Sequence, residues 1–235
     1  GVIPESLGSA DVLHISPSHH FPTGIVTPVS RRRELLDWAN RGEKWIIEDD
    51  YDSEFRFDAH PVPAMQSLDD GGRVIYMNSF SKSLAPSIRI SYMVLPGGLM
   101  AAFQQKLGFY SCTVPSFEQY TLARFLSRGF FEKHINRMRK FYKNRRNAVV
   151  SLLEKCSFSD KLTIQEQDAG LLNVDTSLSD QSLTEKLAAL GIRVRALSSY
   201  YHDQSEDLHC LVINYSGLKE ERLAAALAAI SQEWT

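Results

Sequence analysis

The segment Val74–Pro96, VIYMNSFSKSLAPSIRISYMVLP, sets the tightest limit on the fold. Two apolar runs, Val74–Met77 and Ile90–Leu95, read as strands. The stretch between them is too short for a helical crossover, so this pair points to an antiparallel ladder. The other apolar runs of the first half are separated by helix-like stretches, which implies a largely parallel sheet. Asp11–Ile15 and Trp45–Ile47 are its other expected strands. Pro28–Asn40 is an expected helix, with Ser30 as N-cap and Glu34 in its first turn. Leu99–Tyr110 and Ser116–Ser127 follow as helices. Phe130–Lys155 reads as one long helix, with Ile135, Met138, Phe141, Val149 and Leu152 near one face. Beyond it, Leu162–Glu166, Leu171–Val174, Arg193–Leu197 and Leu211–Tyr215 read as strands. Leu183–Leu190 and a last stretch from Leu218 to about Trp234 read as helices. This tail is a small α+β subdomain, and the expected division is residues 1–130 and 131–235.

Lys82 stands just past the first of the two apolar runs, flanked by Ser79, Ser81 and Ser83, with Arg89 downstream. Desolvation lowers a lysine's pKa and makes it a competent Schiff-base nucleophile. Hydroxyls and an arginine fork suit a phosphate. A Schiff-base lysine beside a phosphate cradle is what pyridoxal 5'-phosphate (PLP) requires. The alternative is a solvated lysine in a loop between two strands. A second stretch, Lys44–Phe57, KWIIEDDYDSEFRF, is an apolar strand ending in a burst of acid. Side chains alternate along a strand, so Asp49 and Tyr51 face one way and Glu48 and Asp50 the other. An Asp at the carboxyl end of a parallel strand sits where open α/β sheets bind ligands. It suits the pyridinium nitrogen of PLP, and a neighbouring phenol suits the ring hydroxyl. An acidic loop, or carboxylates holding Mg, are the other readings; no histidine stands at a plausible ligand spacing from these acids, and no metal site is expected.

The segments Ser16–Gly24 (SPSHHFPTG), Ile47–Phe55 (IEDDYDSEF) and Ser79–Tyr92 (SFSKS through RISY) together resemble the MocR family. These are bacterial GntR-type transcription regulators with a fold-type I aminotransferase-like domain. The resemblance runs over essentially the whole chain. It implies an α/β, PLP-dependent transferase-like fold: part of a large domain with a mostly parallel sheet, followed by the α+β subdomain. It implies Lys82 as the PLP lysine, Asp49 on the pyridine nitrogen, Tyr51 on the ring oxygen, and Arg89 with Ser79 and Ser81 on the phosphate. It implies an amine or amino-acid effector bound through a Schiff base, a homodimer, a cytoplasmic location, and DNA contact only through an N-terminal winged-helix domain absent from this chain. The large domain's first part, which usually supplies a phosphate loop and a ring-stacking aromatic, is also absent. A fragment of a working aminotransferase is the competing reading.

Three departures bear on that choice. Aminotransferases carry Asn-Pro-Thr-Gly where this chain has Phe21-Pro22-Thr23-Gly24, a variant usual in MocR regulators. His20 is a candidate to replace the lost ring contact; a plain loop histidine is the other reading. Pro86-Ser87 replaces the usual Pro-Gly, which asks of Ser87 a backbone geometry that glycine takes more easily. Ser199 stands where relatives place the arginine that clamps a substrate carboxylate, and Arg193 or Arg195 are possible substitutes or simple surface arginines. Tyr200, Tyr201 and His202 are either cleft residues or an exposed strand end.

Composition excludes several classes. The chain has 235 residues, is 43% hydrophobic and carries a net charge of −2, so it is large enough for a core and has no bulk attraction to nucleic acid. Basic residues do crowd the long helix, from Lys133 to Arg146, and read best as a solvated face. Cys112, Cys156 and Cys210 are scattered and odd in number, against a disulfide framework or zinc site. No apolar run approaches membrane-spanning length.

Overall fold

The computed structural model describes residues 1–55, 62–165, 171–177, 179–203, 207–217 and 219–234. Two compact units divide the chain: residues 1–20 with 25–138, and residues 21–24 with 139–235.

The first unit holds a four-stranded sheet in the order β1 (Val12–Ile15), β2 (Trp45–Asp49), β3 (Val74–Ser79), β4 (Ser91–Val94). The first three strands run parallel, with Leu13 opposite Ile46 and Ile46 opposite Val74. β4 is antiparallel to β3, as the short connection demands. Alternation puts Leu13, Ile15, Ile46 and Val74 on one face. Helix α1 (Val29–Arg41) covers that face with Leu35, Leu36 and Ala39, and Met65 of the short helix α2 (Met65–Leu68) completes the core. β4 lies at the sheet edge, with Tyr92, Met93 and Val94 exposed.

α1 begins one residue later than expected, and Ser30 does not cap it. Pro28 occupies the cap position, because its carbonyl already accepts the first helical bond, from Arg32 N at 3.0 Å. The helix α3 (Phe80–Ser83) was not legible as one, so Lys82 sits on a helical turn rather than in a loop. α4 (Gly97–Leu107) and α5 (Ser116–Ser127) bury no residue; Phe109, Phe117 and Tyr120 stand exposed on and beside them.

Helix α6 (Phe130–Glu154) contains the division between the units, at Met138 and Arg139. It buries Ile135, Val149 and Leu153. Phe141 is exposed, contrary to expectation: six residues beyond Ile135 it is rotated by about 120° off that stripe. Members of the basic run are engaged: His134 Nε2 lies 3.0 Å from Ser83 O, Arg145 donates to Ser216 O at 3.0 Å, and Arg146 donates to Asn147 Oδ1 at 3.1 Å.

The second unit carries an antiparallel sheet ordered β5 (Leu162–Ile164), β6 (Leu171–Thr176), β8 (Cys210–Asn214), β7 (Arg195–Ala196). Helices α7 (Asp180–Ala189) and α8 (Glu220–Trp234) complete it. Leu183, Leu187 and Leu211 form its core with Ile192, Val194 and Ile230. β7 is shorter than the expected Arg193–Leu197, because a helical turn takes over at Leu197–Tyr200. α7 starts earlier than expected, since Ser179 Oγ accepts from Ser182 N at 3.3 Å. The expected strand end at Glu166 and helix start at Leu218 lie outside the described residues. Asp180 is buried, and its carboxylate accepts Leu208 N and Cys210 N, both at 3.1 Å.

Behind the first sheet lies a fully buried arginine. Arg32 donates to Pro17 O at 2.7 Å, Pro63 O at 2.8 Å and Thr27 O at 2.9 Å. Glu48, equally buried, accepts Met65 N and Gln66 N at 2.8 Å each and so holds the start of α2. The two charges face each other at 3.9 Å. That distance is long, so the backbone bonds outweigh the direct pair. Burial pushes the Glu48 carboxyl up, the two amides pulling against it. Arg32→Met leaves three carbonyls without their donor and removes the cation that faces the buried Glu48. It should cost about 3–5 kcal/mol, read as a lower urea midpoint. Thiol chemistry offers a second check. Burial pushes the Cys210 thiol up to about 12, whereas Cys112 is exposed. A disulfide reagent at pH 8 should label Cys112 quickly and Cys210 only after unfolding.

Candidate functional site

The carboxyl ends of the three parallel strands gather the chemistry. β1 runs into the loop that carries His19, β2 ends at Asp49 and leads into Asp50, Tyr51 and Asp52, and β3 leads into α3 with Lys82. Lys82 Nζ donates to Asp52 Oδ2 at 2.6 Å and lies 5.1 Å from the centre of the Tyr51 ring. His19 Nδ1 lies 3.0 Å from the same carboxylate oxygen. That nitrogen therefore carries a proton, since a carboxylate only accepts. Tyr51 donates its hydroxyl to His19 O at 2.9 Å. His19 and Asp52 are buried at 4% and 1% exposure, while Lys82 keeps a third of its side-chain surface. His19 Nε2 and Asp52 Oδ1 are buried with no hydrogen-bond partner among the described residues.

The strand alternation separates the two acids. Asp50 is buried and committed: its Oδ2 accepts Ser53 Oγ at 2.7 Å and Tyr76 OH at 2.8 Å. Asp49 is half-buried on the other face, 3.6 Å from His14 Nε2. Burial pushes the Asp49 carboxyl up, opposed by His14 and reinforced by Asp50 and Asp52. Burial, then Asp52 and Asp49, push the Tyr51 phenol up, so it remains a hydrogen-bond donor at working pH. Burial likewise raises Glu54, with Asp50 and Asp52 adding to it. Asp49, Asp50, Asp52 and Glu54 crowd one strand end, and Lys82 is a cation set against Asp52.

Lys82 and Tyr51 thus meet across the carboxyl ends of β3 and β2, and Asp49 is the last residue of β2. Ser79 ends β3, and Ser81 lies one residue before Lys82 on α3, both half-buried. Arg89 is exposed in the segment entering β4 and makes no hydrogen bond or ion pair with the cluster among the described residues. The geometry expected of Ser87 is not required, because the described non-glycine residues at positive φ are Glu43 and His209. His20 is exposed, and its neighbour His19 is the one that enters the cluster. His19 and Asp52 were not legible as site residues: neither falls on a strand, so alternation says nothing of them. His134 was read only as one of the basic run, yet its contact with Ser83 O steadies the turn that bears Lys82.

In the second unit the loop Phe21–Gly24 is held by Asn173 of β6, which donates to Thr23 O at 2.9 Å and Pro22 O at 3.3 Å. Gly24 takes φ +72°, a conformation open to glycine. Ser199 Oγ donates to Ala196 O at 2.7 Å, a bond within its own turn. Arg195 stacks its guanidinium 5.7 Å from the Tyr200 ring, and Phe21 meets Tyr200 edge to face at 5.2 Å.

These features are those of a PLP-fold large domain, and sequence comparison agrees. A family profile described as aminotransferase class I and II matches residues 7–230. The chain belongs to that family. The HTH-type transcriptional regulator YhdI of Bacillus subtilis is 36% identical over 239 residues, covering 100% of this chain and 50% of its own length. The probable rhizopine catabolism regulatory protein MocR of Rhizobium meliloti is 34% identical, covering 96% and 46%. Among solved structures, the kynurenine aminotransferase of Pyrococcus horikoshii, in complex with PMP, aligns with a TM-score of 0.80 at 26% identity, over 97% of this chain and 57% of that one. The chain spans about half the length of the curated relatives it matches. The resemblance to MocR-type regulators therefore holds across the whole chain. Among the described residues no helix is long and apolar enough to cross a membrane.

The two acids should differ in what they do for stability. Asp50→Ala takes the acceptor from the half-buried Ser53 and Tyr76 hydroxyls and should cost about 1–3 kcal/mol. Asp49→Ala, half-exposed and facing an exposed histidine, should cost less than half as much. Thermal unfolding of the two variants checks the order.

Proposed function

We propose that this chain is the effector-binding, PLP-holding domain of a MocR/GntR-type transcription regulator. The observation that carries the reading is the convergence of Lys82, Tyr51 and Asp49 at the carboxyl ends of adjacent parallel strands, where open α/β sheets bind ligands. The donor set fits PLP. Lys82 offers an amine to the aldehyde, Asp49 an uncommitted carboxylate to the ring nitrogen, and Tyr51 a protonated phenol to the ring oxygen. Ser79, Ser81 and the exposed Arg89 are the groups available to the phosphate. PLP, when bound, would supply an aldehyde able to condense reversibly with Lys82 or with an amine or amino-acid effector, and that reversibility is the chemistry we assign to sensing. Only a difference in effector affinity between two conformations passes that signal to a DNA-binding domain.

The neutral side chain at Ser199 supports a regulator over an enzyme, because a transaminase holds its substrate carboxylate with a bidentate arginine. A homodimer is the arrangement we expect, and the exposed aromatics Phe109, Phe117 and Tyr120, on and beside two helices that bury no residue, are candidates for its interface. DNA contact belongs to a winged-helix domain outside this chain. The competing reading, a fragment of an active aminotransferase, predicts ketoacid release by the intact protein, which the regulator reading does not.

Incubation with PLP followed by borohydride reduction and peptide mapping tests the assignment. Label is expected on Lys82. Lys82→Ala should lose all label and keep its fold, and label retained elsewhere would refute the choice of lysine. Asp49→Asn should weaken PLP binding by about tenfold or more, and Asp50→Asn by less, the reverse of their order in stability. A reversed order in binding would make Asp50 the ring-nitrogen acid.

A further inference from the structure

Asp52 has no place in the reading above, yet it makes the shortest described contact to the site lysine. Its Oδ2 receives Lys82 Nζ at 2.6 Å and lies 3.0 Å from His19 Nδ1. Both acid and imidazole are buried, and their second polar atoms have no hydrogen-bond partner among the described residues. A carboxylate this deep needs its cation, because an uncompensated buried charge is expensive. We infer that Asp52, oriented by His19, is a latch on Lys82: it holds the amine as an ion-paired ammonium aimed at Tyr51 while the site is unloaded, so that any carbonyl ligand must displace an internal ion pair before it can attach.

The geometry supports a positioning role. His19 Nδ1–H fixes which way the carboxylate faces, Tyr51 fixes the His19 loop through His19 O, and His134 steadies the Lys82 turn through Ser83 O. Other titratable groups around this cluster are Asp49 at the end of β2, with Asp50, Tyr51 and Glu54 after it, His14 beside Asp49, and His20 beside His19. Asp52 is the acid whose carboxylate touches Lys82 Nζ among the described contacts. An ammonium has no lone pair with which to attack, so the latch slows reaction at Lys82.

This inference rests on Lys82 being the site lysine, and the test separates the two. The cofactor-free chain is treated with an acylating reagent between pH 6 and 10, and the rate at each lysine is read by peptide mapping. In the wild type, Lys82 should react more slowly than the exposed Lys106 at pH 8. Asp52→Asn should speed Lys82 by about threefold to tenfold at that pH and move its profile to lower pH, leaving Lys106 unchanged. The range is the lower part of what a neighbouring carboxylate does, because Lys82 is partly exposed. Asp52→Glu should restore the slow profile. His19→Asn, which keeps a donor near the Nδ1 position, should change it less than His19→Phe. An Asp52→Asn profile superimposable on the wild type overturns the latch. If that variant does not fold, a wild-type Lys82 faster than Lys106 overturns it instead. Normal latch behaviour without PLP on Lys82 after borohydride would leave the latch standing and remove the cofactor reading. PLP on Lys82 with a profile indifferent to Asp52 would do the reverse.

Discussion

The buried Arg32 guanidinium is the constraint on which the first unit depends. It has no exposed surface, and its hydrogen bonds reach three carbonyls from separate stretches of chain. An arginine can do this because its planar fork presents donors in several fixed directions at once. The loop after β1, the start of α1 and the segment before α2 are thereby tied to one point. Glu48 answers from β2, holding α2 by two amides. Through Pro17 O, Arg32 ties down the loop that bears His19.

In front of it the electrostatics invert. Asp49, Asp50, Asp52 and Glu54 crowd the end of one strand, and burial drives Asp49 and Glu54 toward their neutral forms. Each acid is handled differently. Asp50 Oδ2 is held by hydroxyls, Asp52 Oδ2 by Lys82 and His19, and Asp49 is left facing an exposed histidine on the open side. Such crowding costs stability and makes a site: a strand end with one uncommitted carboxylate, one amine and one protonated phenol is prepared for a ligand that is cationic on one edge and carbonyl on another.

Much of the site was legible because strands alternate. The grouping of Asp49 with Tyr51 and of Glu48 with Asp50 followed from a two-residue period, and burial of Glu48 and Asp50 agrees with it. The helices were less legible at their ends, where Pro28 displaced Ser30 and Ser179 brought α7 forward. Phe141 was misplaced because a six-residue step does not return to the same helical face. His19, Asp52 and Arg32 were missed outright, since their roles depend on contacts with residues far along the chain, 33, 30 and 31 positions away in the cases of His19 to Asp52, Asp52 to Lys82 and Arg32 to Pro63.

By itself, the sequence determined the strand and helix order, the antiparallel β3–β4 pair, and a lysine, an acid and a phenol at strand ends, because these follow from local periodicity and short connections. Only the tertiary structure decided which histidine enters the site, which carboxylate holds the lysine, and which charge is buried behind the sheet. Those choices belong to contacts between distant segments, where desolvation makes each unpartnered charge costly and one geometry satisfies them together.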